Sequence, residues 1–550
     1  MSELTFATPT PRATWRTRTE PLLWAVSLFW ALLANRSFLN AALEGRDAAA
    51  PQTWLFGVAL VVMLLCLHFL LTAPWAWGRA TKPVLALLIV VSASATYFMQ
   101  AFGVVLDPSM IRNVLHTDVA ESRELMSFRL LGHLLLYAGL PLVLLWRVKL
   151  QPRRWLPALA WRLGSMLVAL ALLVGTMLAV FQPFSALMRN HKELRYLITP
   201  GNVVWSLGVV LAEQTRGAAQ PRVAIGEDAT PGPRLAARRK PLVVVMVVGE
   251  TARAANWSLS GYARQTTPEL AQRPVINFAD VTSCGTNTEV SLPCMFAPVG
   301  RRDYDEQRIR GSQSLLHVLA RAGVAVQWLD NQSGCKGVCE GLPAQEMVKL
   351  NPPGLCQSGR CLDESLLIGL PERLAKAKGT QLLVLHMLGN HGPSYFRRYP
   401  PAFARFKPAC NHDDLARCTQ AEIVNAYDNA LLYTDHVLAQ LIDELQAKAQ
   451  SVDSVLLFVS DHGESLGENG LYLHGLPNAI APDVQKRVPM VMWFSSGLAG
   501  PDLPDLACIK ERAKQSAAHD NLFHTLLGLV DVRTALYDKA LDLTEPCRKP

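Results

Sequence analysis

Apolar positions are distributed unevenly along this chain. In its first third they form unbroken stretches from about Pro21 to Leu39, Trp54 to Ala73, Pro83 to Phe102, Leu130 to Trp146 and Leu159 to Phe181. Each approaches the ~20 residues that a helix needs to cross a bilayer. The first stretch lacks a clean small-x-small exit and more spans follow, so a retained helix is expected rather than a cleaved signal peptide. The 103–129 connection is too long for a turn, and Met110 to Asn113 and His116 to Glu121 give it the pattern of an amphipathic helix lying on the outer face. Beyond the fifth span come helical pieces around Leu187 to Leu197 and Val203 to Glu213, then a Gly/Pro/Arg-rich linker from Gly217 to Lys240.

From Pro241 onward the pattern changes. Short β-branched runs, Val243 to Val248, Leu382 to Leu388, Val455 to Val459 and Val488 to Trp493, alternate with helical periodicity at Gln313 to Ala322 and Glu422 to Gln446. Fully apolar strands alternating with helices predict a mostly parallel α/β sheet, with functional groups at the carboxyl ends of the strands. The expected organisation is a five-helix transmembrane domain over 1–182, a bridging helix and linker over 183–240, and a soluble α/β domain over 241–550.

Charge then orients the chain. Arg12, Arg16 and Arg18 precede the first span, Arg79 and Lys82 follow the second, and Arg147, Lys149, Arg153 and Arg154 follow the fourth. Basic loops stay cytoplasmic, so five spans put the soluble domain outside. The net charge of +8 is concentrated beside apolar segments and no nucleic-acid-binding pattern accompanies it, so no nucleic-acid partner is expected. Of 11 cysteines only Cys66 lies in the apolar third. The other ten fall mostly in close pairs, the usage of an oxidising compartment. Sequential pairing is expected: Cys284 with Cys294, Cys335 with Cys339, Cys356 with Cys361, Cys410 with Cys418, and Cys508 with Cys547. Their spacings lack the paired knuckles of a zinc ribbon.

Candidate chemistry lies at two strand ends and one loop. Val243 to Glu250 ends a strand in a carboxylate, and Val455 to Glu464 ends another in Asp461-His462. Glu250, Asp461 and His462 form a ligand set suited to zinc. Between them in sequence, Cys284 and Cys294 bracket a hydroxyl-rich segment, in which Thr288 is read as a nucleophile at the mouth of the metal site and Thr286 is its competitor.

Gly249-Glu250-Thr251-Ala252-Arg253, Ser283 to Thr288, Pro293 to Phe296, Gly389-Asn-His391-Gly-Pro393 and Ser460 to Glu464 together resemble the lipid A phosphoethanolamine transferases of Gram-negative envelopes. These alkaline-phosphatase-superfamily enzymes have an inner-membrane anchor and a sulfatase-like periplasmic domain, and they include the mobile colistin-resistance enzymes. The resemblance implies Glu250, Thr288, Asp461 and His462 as zinc ligands, with Thr288 also the nucleophile. It places Lys336, His391 and His474 around the phosphoethanolamine group or a second, looser zinc, and makes His391 and His474 catalytic candidates. Asn113 and Glu121 resemble lipid-substrate-binding residues, which turns the 103–129 connection from an inert connector into part of the site. Phosphatidylethanolamine is the implied donor, lipid A the acceptor and a monomer the working unit.

Other readings use the same residues. The stretch Asp330 to Lys336, with Cys335 and Cys339 flanking the lysine, varies from much of the family and leaves core sugars, periplasmic glucans or proteins open as acceptors. A phosphatase or sulfatase would let water complete turnover, although no Cys/Ser-x-Pro/Ala-x-Arg formylglycine context occurs at the nucleophile loop. A lipid-binding scaffold would bind no stoichiometric zinc.

Overall fold

The computed structural model describes residues 15–217, 222–357, 359–499 and 503–548. Arg12 and residues 218–221 of the expected linker lie outside this set. By internal packing the chain forms two units, one of residues up to 108 with 128–209, the other of residues 109–127 with 210 onward.

The first unit is helical. Pro51–Thr72, Gly78–Phe102, Phe128–Arg147 and Trp155–Ala179 are each long and apolar enough to cross a membrane. The first expected span is instead a pair, Thr19–Ala34 and Arg36–Leu43, bent by 55°. The described residues thus hold four spans, or five if the bent pair counts as one. Asn35 stabilises the break: its amide donates to Trp30 O at 2.9 Å and Thr199 O at 2.8 Å, and its Oδ1 accepts from Thr199 N at 2.9 Å. Only 11% of the apolar window of Trp155–Ala179 is buried, as suits a helix facing hydrocarbon. Its one deeply buried charge, Arg162, reaches Glu20 Oε1 at 3.4 Å and Ala76 O at 3.0 Å.

In the second unit, the 109–127 segment forms two short helices, α1 (Pro108–His116) and α2 (Val119–Glu124). Asp118 caps α2 by accepting from Glu121 N at 2.7 Å. The segment expected as one amphipathic helix is therefore two short helices that pack within this unit. Arg112 is 4% exposed and pairs with Glu213 at 2.5 Å and with Glu306. A buried guanidinium requires such partners, and these are too distant in sequence for the local pattern to reveal them.

The core is a seven-stranded sheet of β1 (Leu242–Gly249), β2 (Ile276–Phe278), β3 (Ala325–Asp330), β4 (Ala344–Glu346), β5 (Thr380–His386), β6 (Asp453–Ser460) and β7 (Met490–Phe494), in the order β2-β7-β6-β1-β5-β3-β4. Neighbours are parallel except where β7 meets β6 and β2. Helices α3 (Thr288–Met295), α4 (Leu315–Arg321), α5 (Gln420–Ala447) and α6 (Asp520–Val530) flank it. Val244, Met246 and Val248 of β1 pack with residues of α4 and α6, whereas Val243, Val245 and Val247 pack with residues of α5. Burial on both faces explains why this strand reads as continuous apolar sequence. A reciprocal cap between Thr419 and Glu422 starts α5. All five expected disulfides are present, and Cys66 is free.

Candidate active site

Strands β1 and β6 are adjacent and parallel, with Gly249 opposite Ser460. Their carboxyl ends therefore deliver Glu250 and Asp461-His462 to one place. The three side chains are fully buried, and one ligand atom from each lies within 4.8 Å of the others. His462 Nε2 is 3.4 Å from both Glu250 Oε1 and Asp461 Oδ2. His462 Nδ1 is 2.8 Å from Gly463 O, which keeps that nitrogen protonated and turns Nε2 toward the carboxylates.

This donor set fits a divalent cation. Asp461 Oδ2 is buried with no hydrogen-bond partner, a costly arrangement unless an ion meets it. Burial raises the Asp461 pKa to about 6, and the nearby Glu250 charge adds to the rise. Burial works against a charged imidazole, but Asp461 and Glu250 raise the His462 pKa to about 10. Burial would also raise Glu250, yet His462 holds it well below the usual carboxylate range. Two carboxylates thus concentrate negative charge around one imidazole nitrogen, as a metal dication would use it.

Thr288 opens α3, whose amino end is capped by Asn287 Oδ1 accepting from Val290 N at 3.0 Å. Its hydroxyl donates to Glu250 Oε2 at 3.1 Å and lies 3.3 Å from His462 Nε2. Thr286 is committed elsewhere: its hydroxyl donates to Leu476 O at 2.5 Å. The Cys284–Cys294 disulfide closes the loop, and His519 ties it to β6. His519 Nδ1 accepts from Cys284 N at 3.1 Å while Nε2 lies 3.0 Å from Ser460 O.

Of the remaining expected residues, His474 and His391 stand beside this centre, and Glu121 meets His391. The His474 ring lies 4.3 Å from that of His462 and 5.7 Å from that of His391, and its Nδ1 is 2.8 Å from Glu464 Oε2. His391 Nε2 is 3.4 Å from Glu121 Oε1 on α2, and its buried Nδ1 has no hydrogen-bond partner. Burial raises the Glu121 pKa to about 7, against the pull of Arg360. Lys336 Nζ is 3.2 Å from Glu289 Oε1. Asn113 is half-buried on α1, between Arg112 and Val114.

Sequence reasoning missed several contacts here. Gln332 Nε2 donates to Glu250 Oε2 at 3.0 Å, and the turn that carries it is held by Asp330 Oδ1, which accepts from the Gln332 and Gly334 amides. Glu289, next to Thr288 and fully buried, is shared by His116, Lys336 and Arg310. Glu124 is gripped by Arg398, which also donates from Nε to His391 O at 2.6 Å. The position of Gln332 inside the Asp330 to Lys336 stretch was a signal. The other partners are joined only by the fold.

Buried carboxylate and imidazole donors at adjacent strand ends, with a hydroxyl on a capped helix start, define a sulfatase-type α/β enzyme with a candidate metal site. The family described as Sulfatase matches residues 243–532, and that described as Phosphoethanolamine transferase EptA/EptB matches residues 64–215. The phosphoethanolamine transferase EptA of Escherichia coli K12 is 38% identical over 95% of this chain and 97% of its own length. The phosphatidylethanolamine transferase Mcr-1 of Escherichia coli is 37% identical over 95% of this chain and 96% of its own. The solved integral membrane lipooligosaccharide phosphoethanolamine transferase A of Neisseria meningitidis superposes with a TM-score of 0.92 at 37% identity, covering 98% of this chain and 100% of that one. The chain belongs to the EptA-type phosphoethanolamine transferase family.

Proposed function

We propose that this protein transfers phosphoethanolamine from phosphatidylethanolamine to a phosphate of lipid A, through a covalent intermediate on Thr288. The observation that carries this reading is the Thr288 hydroxyl within hydrogen-bond reach of Glu250 and His462, beside the partnerless Asp461 Oδ2. Glu250, Thr288, Asp461 and His462 would hold Zn2+. Bound zinc lowers the pKa of a coordinated hydroxyl and offsets charge on phosphoryl oxygens.

Thr288 Oγ1 forms the new bond to phosphorus as the bond to the glycerol oxygen breaks, and diacylglycerol leaves with a proton. The amino end of α3 and the Lys336 ammonium stabilise the anionic phosphoryl group. Glu121 and Asn113 receive the donor head group. His474, oriented by Glu464, and His391 hold the protons that the leaving and accepting oxygens exchange. A lipid A phosphate oxygen then displaces Thr288. A second, looser zinc would sit near His391 and His474, and counting zinc per chain tests that. Every group invoked comes from one chain, so a monomer suffices. The site faces the periplasm and the helical unit lies in the inner membrane, in keeping with an integral membrane relative and with the periplasmic C-terminal domain of another. Adding a cationic ethanolamine lowers the negative surface charge and weakens binding of cationic peptides such as polymyxin.

Intact mass after incubation with phosphatidylethanolamine tests the reading. A phosphoethanolamine adduct is expected on the wild type and on Thr286→Ala but not on Thr288→Ala. An adduct that survives Thr288→Ala would overturn the nucleophile, and diacylglycerol release without any transfer to lipid A would indicate a hydrolase.

A further inference from the structure

One turn of α2 beyond Glu121 lies a cavity of about 880 Å³ that the proposed chemistry does not use. Glu124 is on its wall, three residues and roughly 4.5 Å of helix rise from Glu121. Arg398 links the two places, bonding His391 O with Nε and Glu124 with both terminal nitrogens.

The cavity is basic, with donors to spare. Arg123, Arg360 and Arg397 line it together with the carboxylates Glu124 and Asp413. Arg397 is occupied by Asp413, its Nε and Nη2 each 3.1 Å from a carboxylate oxygen. Glu124 is engaged by Arg398 through both oxygens, so little of its charge remains for Arg360. Arg360 lies 3.0 Å from Glu124 and 3.6 Å from Asp118, yet its buried Nε and Nη2 donate no hydrogen bond. A guanidinium with ion-pair neighbours but unaimed buried donors is prepared for an oxyanion that accepts from two of its nitrogens at once, as a phosphate does. Arg123 is exposed and adds its charge at the rim. Among the residues that line it, three arginines face two carboxylates, Glu124 and Asp413. Phe396 and Tyr399 supply flat apolar surface of the kind that packs against a sugar ring.

We infer that this cavity binds a second anionic group of the acceptor, a phosphate on the far sugar of a phosphorylated saccharide whose near phosphate is modified at Thr288. The inference rests on the proposed lipid A acceptor and deepens it. It makes Arg360 and Arg123 specificity-determining residues that read charge away from the reacting atoms.

The test uses full-length enzyme in phosphatidylethanolamine nanodiscs, with lipid A carrying both phosphates and with each of its two single-phosphate forms. Arg360→Gln and Arg123→Gln are compared with the wild type. For the two-phosphate acceptor KM is expected to rise fivefold or more in each variant. For whichever single-phosphate form serves as acceptor, KM should change less than twofold. Arg123 is exposed, so its variant carries the test if Arg360→Gln does not fold. Equal losses on both acceptor types would overturn the inference. So would a loss that appears only when phosphatidylglycerol is added to the discs, because the cavity would then serve a bilayer lipid. Absence of transfer to any lipid A by the wild type would instead remove the acceptor assignment itself, and this inference with it.

Discussion

Gly389→Ala is expected to cripple the metal site from a position that contributes no ligand. Gly389 has φ +51°, and a Cβ added there would lie 2.6 Å from Glu250 O and 3.0 Å from Glu250 N. Both are backbone atoms, so no side chain can swing aside. The loop cannot retreat either. The Leu388 and Gly389 amides each donate to buried Asp363 at 2.8 Å, and Asn390 N donates to Glu250 O at 3.0 Å. A left-handed backbone costs an ordinary residue about 1–2 kcal/mol, and forced overpacking costs about 1–3 kcal/mol more. The sum is roughly 3 kcal/mol, or about 6 °C of Tm at roughly 2 °C per kcal/mol for a unit of this size. Displacing Glu250 should also weaken metal affinity by about 10- to 100-fold. Gly341→Ala is the control, because φ there is +77° but nothing lies within 4 Å of the added Cβ. It should lose only about 1–2 kcal/mol and keep its metal. Zinc content by mass spectrometry and Tm, measured on both variants, decide the matter. Equal zinc content in the two would refute the argument that crowding at Glu250 is transmitted to the ligand set.

Three further outcomes follow from the same geometry. Gln332→Ala removes the amide that donates to Glu250 Oε2 and should lower zinc affinity about tenfold; a competitive chelator titration that shows no change would dismiss Gln332 as a support. Glu289→Gln leaves Lys336, Arg310 and His116 around an uncharged, buried group, at a cost of about 3–5 kcal/mol. Its Tm should fall well below that of Arg308→Gln, which breaks only the exposed pair with Asp303. Burial raises the Asp435 pKa to about 7, although the Glu269 and Leu270 amides donate to it. Its folded pKa thus exceeds the unfolded value of about 3.9, so its contribution to stability is full below pH ~4 and is lost as pH rises through 7. Asp435→Asn should flatten that part of the Tm-against-pH curve, and an unchanged slope would assign it to other groups.

The parts of this fold that were legible in sequence are those set by local patterning. Four central strands showed as β-branched runs, and two of them end in the residues now seen together at the candidate metal centre. The edge strands β2 and β4 have three residues each, too short to carry a period. The bend at Asn35 was hidden because neither glycine nor proline marks it, and two of its hydrogen bonds go to Thr199, far along the chain. The charges of the 109–127 segment looked like a solvated face because their partners, Glu213, Glu289, Glu306, His391 and Arg398, are supplied by tertiary structure alone. Thr288 could be preferred over Thr286 only through family resemblance, whereas the structure gives a physical ground in the Thr286 bond to Leu476 O.

The pairing of β1 with β6 also bears on how the protein is made. Thr251 and Asp461 are joined by a hydrogen bond across 210 residues of sequence. During synthesis, Glu250 and Thr288, the proposed first ligand and nucleophile, emerge long before Asp461 and His462. On the proposed mechanism the nascent chain is therefore inert while it is threaded and oxidised, and it becomes competent only when the last part of the sheet closes. A product truncated before residue 461 would be a harmless fragment rather than an unregulated lipid-modifying enzyme.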